Sequence, residues 1–109
     1  MPGLASGKIV VVTGGASGIG QATAEAFAAE GAEHVVVADI DEPGASATAE
    51  RIGEAGGSAS IGAVDVTDEP AVAALMDGVV ADHGRIDIAF NNAGITDSPG
   101  AFEDLGRDR

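Results

Sequence analysis

The residues of this chain best suited to chemistry are TGGASGIG at positions 13–20 and NNAG at positions 91–94. The first follows directly on an apolar run, Ile9 to Val12, and the second on another, Ile86 to Phe90. Gly14, Gly18 and Gly20 are spaced G-x-x-x-G-x-G. Between a strand and a helix, that spacing has a mechanism. Gly14 permits a tight turn that a Cβ would obstruct. Gly18 and Gly20 let the backbone approach a pyrophosphate and let the helix pack on the sheet, while the N–H groups and positive dipole end of the helix bind the phosphates. The spacing is not G-x-x-x-x-G-K-[ST], which excludes a mononucleotide P-loop. A plain strand–helix turn with convenient glycines is the alternative, and the features that follow weigh against it. The expectation is a dinucleotide cradle.

Asp39 stands nineteen positions past Gly20, at the end of a second apolar run, Val35 to Ala38. An acid about 20 residues beyond the glycine turn is where a dinucleotide fold accepts hydrogen bonds from the adenosine ribose hydroxyls. The next residues are Ile40, Asp41 and Glu42, with no Lys or Arg among them. A 2′-phosphate would meet three carboxylates and no counter-charge, so the prediction is NAD rather than NADP. Asp39 as a mere helix cap is the alternative, but Asp41 fits that role better.

These residues need elements to hold them, and the chain supplies an alternation. Ile9–Val12 is a continuous β-branched run, which fits a strand buried on both faces of a parallel sheet. Ser17 to Glu30 reads as a helix, with Ile19, Ala22, Ala26, Phe27 and Ala29 clustered at helical spacing and Gly31 ending it. Val35–Ala38 is the second strand. Asp41-Glu42-Pro43 opens a helix that runs to Ala55 and stops at Gly56-Gly57. Ser60–Val66 is the third strand. Thr67-Asp68-Glu69-Pro70 opens a helix over 70–82 with Val72, Leu75, Met76, Val79 and Val80 on one stripe, closed by Gly84. Ile86–Phe90 is the fourth strand. The order βαβαβαβ calls for a parallel sheet with right-handed crossovers. Residues 95–109 are mostly polar or turn-forming and read as an irregular tail.

Composition narrows the function classes. The formal net charge is −13, and the five basic residues are scattered, which argues against nucleic acid and anionic membrane surfaces as partners. With no cysteine, there is neither a disulfide framework nor a thiolate metal site. No apolar stretch approaches the ~20 residues that span a bilayer. The N-terminus does not read as a signal peptide, so the expectation is a soluble cytoplasmic protein forming one small domain. His34 and His83 are isolated in the sequence and have no spaced partner ligand, so no metal site is assigned.

TGGASGIG, Asp39, VDVTD at 64–68 and NNAG at 91–94, in that order, resemble the amino-terminal half of the short-chain dehydrogenase/reductase family from about Lys8 to about Leu105. The resemblance implies a Rossmann-type three-layer αβα fold, a doubly wound parallel sheet in truncated form, with residues 1–109 as a single partial NAD(P)-binding domain. It also implies roles by position. Gly14, Ser17, Gly18, Ile19 and Gly20 line the pyrophosphate and ribose, and Asp39 binds the adenosine ribose. Asp65 and Val66 contact the adenine, the Asp65 carboxylate taking the exocyclic amine. Asn92, Ala93 and Gly94 lie beside the cofactor and steady the central sheet. A helix cap is the alternative for Asp65, although Asp68 competes for it, and an Asx turn is the alternative for Asn91-Asn92.

The family's catalytic group is a Tyr and a Lys four residues apart, helped by a Ser and an Asn. This chain has no Tyr, and its one lysine, Lys8, precedes the first strand. Ser98 and Asn91 do not occupy the corresponding positions, so no catalytic residue is assigned. A chain shortened by a premature stop or frame change and a piece of a longer protein both fit. The family's remaining strands and the helices through which its members usually oligomerise would lie further on, leaving Ile86–Phe90 as an open apolar edge. The leading expectation is the NAD-binding part of an oxidoreductase that moves a hydride between nicotinamide and a secondary alcohol or ketone. A non-catalytic NAD-binding module and an inactive, folding-incompetent remnant are the alternatives.

Overall fold

The computed structural model describes residues 5–91. Four parallel strands stand in the order β3-β2-β1-β4: β1 Ile9–Thr13, β2 His34–Asp39, β3 Ala59–Ala63 and β4 Ile88–Asn91. Between them run α1 Gly18–Ala29, α2 Glu42–Glu54 and α3 Glu69–His83. The first two crossovers step outward from β1 to β2 to β3, and the third returns past both to the other side of β1. With right-handed crossovers, that reversal puts the third helix on the opposite face. Accordingly Val10, Val12, Val35 and Val37 pack against Ala24 of α1 and Ala45 and Ile52 of α2, whereas Ile9, Val11 and Val36 pack against Val79 of α3. The result is the doubly wound, three-layer arrangement expected of a Rossmann-type fold.

All five residues of β1 are buried. That is why its sequence carries no polar alternation. The reversal of strand order falls between β1 and β4, and their C-terminal ends meet there at Thr13 and Asn91. Crevices outside the strand ends at such a switch point are where open α/β sheets bind ligands.

Four elements differ from the sequence expectation in where they end or in which residues they bury. β3 stops at Ala63, not Val66, because Asp65 Oδ1 accepts from the Thr67 amide at 2.9 Å and its hydroxyl at 2.7 Å, turning the chain out of the sheet. β4 starts at Ile88, not Ile86. The Asp87 carboxylate takes the Ile9 amide at 2.8 Å, so a side chain stands where regular pairing would begin. Ile19 is 65% exposed rather than part of the core stripe of α1; Gly20 and Ala24 are the residues buried there. On α3, Val79 is buried and Leu75 and Met76 pack beside it, whereas Val80 is exposed. Among the described residues, β4 pairs on one side only, with β1, and no helix is long and apolar enough to cross a membrane.

Candidate functional site

The glycine-rich turn leaves β1 at Thr13 and enters α1 at Gly18. Gly14 has φ +70°, a conformation that side chains with a Cβ rarely adopt. Its N–H and that of Gly15 both donate to the Ala38 carbonyl, at 2.8 and 3.2 Å, so the turn folds over the end of β2. Gly20 is required by close approach: a Cβ there would stand 2.0 Å from the Gly14 carbonyl oxygen. Gly18 is different. A Cβ added to it would meet no atom of the described residues within 4 Å, and its φ is not in the left-handed range. Among the described residues nothing requires a glycine at that point, and the space beside it is open.

The start of α1 points the same way. Ser17 occupies its N-cap, but its hydroxyl donates to the Gly14 carbonyl at 2.9 Å, and among the described residues no side chain caps the first turn. That turn contains no acidic residue. A first turn left without a side-chain acceptor presents N–H groups and the positive end of the helix dipole to an anion.

Asp39 sits beside this opening. Its Oδ2 accepts from the Ala16 amide at 3.0 Å and its Oδ1 from the Asp41 amide at 3.0 Å. The carboxylate is therefore fixed at the rim of the turn, with acceptor capacity left over. Asp39 is not the cap of α2; that cap is Asp41, which accepts from Gly44 at 3.0 Å. Ile40 follows with 70% of its surface exposed, an apolar face between two carboxylates that sequence reading passed over.

Asp65 is exposed and Val66 half-buried at the turn after β3. The Thr67 hydroxyl, and then the Thr67 amide, hold the Asp65 carboxyl below the usual carboxylate range, so it is charged at neutral pH. The cap of α3 is Asp68, which accepts from Ala71 at 3.2 Å. Asn92, Ala93 and Gly94 lie outside the described residues. Their neighbour Asn91 accepts from Thr13 Oγ1 at 2.9 Å, tying β4 to β1 at the switch point.

Two residues near the turn were given no role from the sequence. Thr13 is buried and carries the tie to Asn91. Thr48, in the middle of α2 and 1% exposed, donates to the Gly15 carbonyl at 2.9 Å. A threonine inside a helix carries only a weak signal, since its hydroxyl ordinarily turns back to its own helix.

The other end of the sheet is a separate region. Here Arg85 reaches the Gly7 carbonyl and pairs with Asp87 at 2.8 Å. His34 and His83, isolated in the sequence, are not isolated in space. Their rings stack with centroids 4.4 Å apart, and both ring nitrogens of His34 lie within 2.9 Å of the Ser58 and Ser60 hydroxyls. No group of three metal-ligating side chains occurs among the described residues.

Comparison with known proteins agrees with this fold. The family model described as short chain dehydrogenase matches residues 8–109. The chain is 48% identical over 93 residues to (+)-borneol dehydrogenase 1 of Salvia officinalis, covering 85% of this chain and 34% of that protein. A metagenomic short-chain oxidoreductase in complex with NADP superposes with a TM-score of 0.79 at 37% identity, over 91% of this chain and 48% of that one. A short chain dehydrogenase/reductase from Burkholderia phymatum in complex with NAD superposes with a TM-score of 0.78 at 36% identity, over 84% of this chain and 32% of that one. The chain thus spans about a third of the length of the curated relatives it matches.

Proposed function

The chain belongs to the short chain dehydrogenase family, and from that premise we propose that it is the NAD-binding part of an oxidoreductase acting between a secondary alcohol and a ketone. The bound nicotinamide supplies the hydride chemistry; the chain's own residues bind and orient it. The Gly14–Gly20 turn receives the pyrophosphate on the uncapped start of α1, with Ser17, Gly18 and Ile19 along it. Asp39 accepts the adenosine ribose hydroxyls. Asp65 takes the adenine amine and Val66 flanks the ring, while Asn92, Ala93 and Gly94, outside the described residues, are assigned beside the cofactor by the family resemblance.

The observation that carries this reading is the conjunction at one rim: an open helix start, a Gly18 that no protein atom crowds, and a carboxylate fixed beside them. The preference for NAD over NADP rests on Asp39, Asp41 and Glu42 standing together without a basic residue between them. Solved relatives carry either cofactor, so the preference is read from these side chains alone. The 109 residues contain no tyrosine to exchange a proton with a substrate oxygen, and by themselves they bind cofactor without turnover.

The test is a calorimetric titration of the chain with NADH and, in parallel, NADPH. Tighter binding of NADH is expected. Binding of neither overturns the cradle, and equal binding of both overturns the role of the three carboxylates. Asp39→Ala is expected to weaken NADH by roughly 10- to 100-fold, the range for hydrogen bonds to a charged group, and NADPH by less.

A further inference from the structure

One peptide unit in the glycine-rich turn is gripped at both ends. The carbonyl of Gly15 accepts from Thr48 Oγ1 at 2.9 Å, and the N–H of the same peptide, on Ala16, donates to Asp39 Oδ2 at 3.0 Å. The peptide is planar and trans, so its oxygen and its hydrogen point to opposite sides. Fixing one fixes the other. Thr48 grips from α2 and Asp39 from the end of β2.

The Thr48 hydroxyl has a single proton to give. Its other acceptor, the Gly44 carbonyl one turn back on its own helix, stands at 3.3 Å, the longer of the two contacts. The hydroxyl is thus directed out of its helix and into the turn. Gly44 lets α2 come close enough for this, since a Cβ there would fall 2.7 Å from the Ala16 methyl. Thr48 is fully buried, so water does not replace it as a donor to Gly15.

We infer that Thr48 is a positioning residue for cofactor selection: through the Gly15–Ala16 peptide it orients the Asp39 carboxylate toward the ribose hydroxyls. This rests on the reading of Asp39 as the ribose acceptor. Without the Thr48 hydroxyl the peptide is free to turn, the Ala16 N–H leaves Asp39, and the carboxylate loses one of the two amides that hold it. Polarisation along the hydroxyl–peptide–carboxylate chain strengthens both bonds together.

The experiment compares Thr48→Val, which keeps the shape and removes the donor, with Thr48→Ser, which keeps the donor. In Thr48→Val, NADH affinity is expected to fall about tenfold, the effect of one hydrogen bond, and NADPH affinity by much less; Thr48→Ser restores the wild-type ratio. General loosening of the fold would weaken both cofactors by one factor, and equal losses overturn the inference. A second readout needs no cofactor. In the ligand-free chain the Ala16 amide should exchange its hydrogen faster in Thr48→Val, relative to the Val11 amide in β1, and recover in Thr48→Ser. An unchanged Ala16 amide overturns the inference whatever the binding data. A wild-type chain that binds neither dinucleotide, while Ala16 accelerates in Thr48→Val, brings down the cofactor reading and leaves the peptide grip standing.

Discussion

At the start of α2, Asp41 accepts the Gly44 amide and Glu42 adds a second negative charge; at the start of α3, Asp68 accepts the Ala71 amide and Glu69 does the same. Both helices complete their first turn with their own side chains. At the start of α1, the capping position is filled by Ser17, whose hydroxyl is spent on Gly14, and no acid stands in the first turn. All three helices leave the same edge of the parallel sheet. The difference is the one that the proposed anion site at α1 requires: a first turn that no side-chain hydrogen bond caps. Asp41 and Asp68 would repel the anion proposed for the α1 start.

The sharpest way to break this comparison uses two glycines of one turn. Gly20→Ala sets a methyl against the Gly14 carbonyl and is expected to cost about 3 kcal/mol or more, the upper range for overpacking; urea denaturation measures it. Gly18→Ala meets no protein atom and should leave stability within about 1 kcal/mol, yet weaken NADH more than tenfold in a fluorescence titration. A Gly18→Ala chain that binds normally would show that the cradle is not used.

Ser17→Asp makes α1 resemble its neighbours. The helix should gain about 1 kcal/mol from the new cap, while NADH affinity falls about tenfold as the carboxylate meets the pyrophosphate. Stability and binding moving in the same direction would refute the trade. Asp68→Ala probes the other side: the loss of a cap costs about 1 kcal/mol, seen as a melting temperature lower by about 4–8 °C, with NADH affinity unchanged.

The smallest effect is at the far end of the sheet. Burial, and then the neighbouring His83, push the His34 ring below its usual value, against the raising effect of Glu33. A depressed histidine contributes stability that is present above the unfolded value of about 6.5 and is lost as the pH falls through the folded one. The chain should therefore melt lower at pH 5.5 than at pH 7.5, and His83→Ala should shrink that difference. Thermal melts of both chains at the two pH values decide it, and an equal drop in both would sink the assignment.

Much of this was legible in the sequence. The runs Ile9–Val12 and Val35–Ala38 fit buried parallel strands, and the acids and prolines at 41–43 and 68–70 mark the helix starts. The glycine spacing and Asp39 stand out in the sequence because each belongs to a short stretch of chain, and the fold brings the two together at Ala16. Strand ends were misplaced where a side chain overrode the backbone pattern, as Asp65 and Asp87 do. Ile19 was misassigned because helical spacing cannot distinguish the stripe facing the sheet when the close approach is made by Gly20. Thr48 and the His34–His83 stack stayed hidden because each depends on a meeting between distant segments that no local pattern encodes.

The order of the strands also bears on how the chain assembles. In β1, Val10 pairs with Val35 on one side and with Ile88 on the other. Closing the longer loop costs about 1 kcal/mol more in chain entropy, so β4 is the natural latecomer. Everything that grips the Gly15–Ala16 peptide lies before it, between Thr13 and Thr48. During synthesis the glycine-rich turn and the peptide grip that holds it can form while β4, the partner of β1 on its other side, is still to be made.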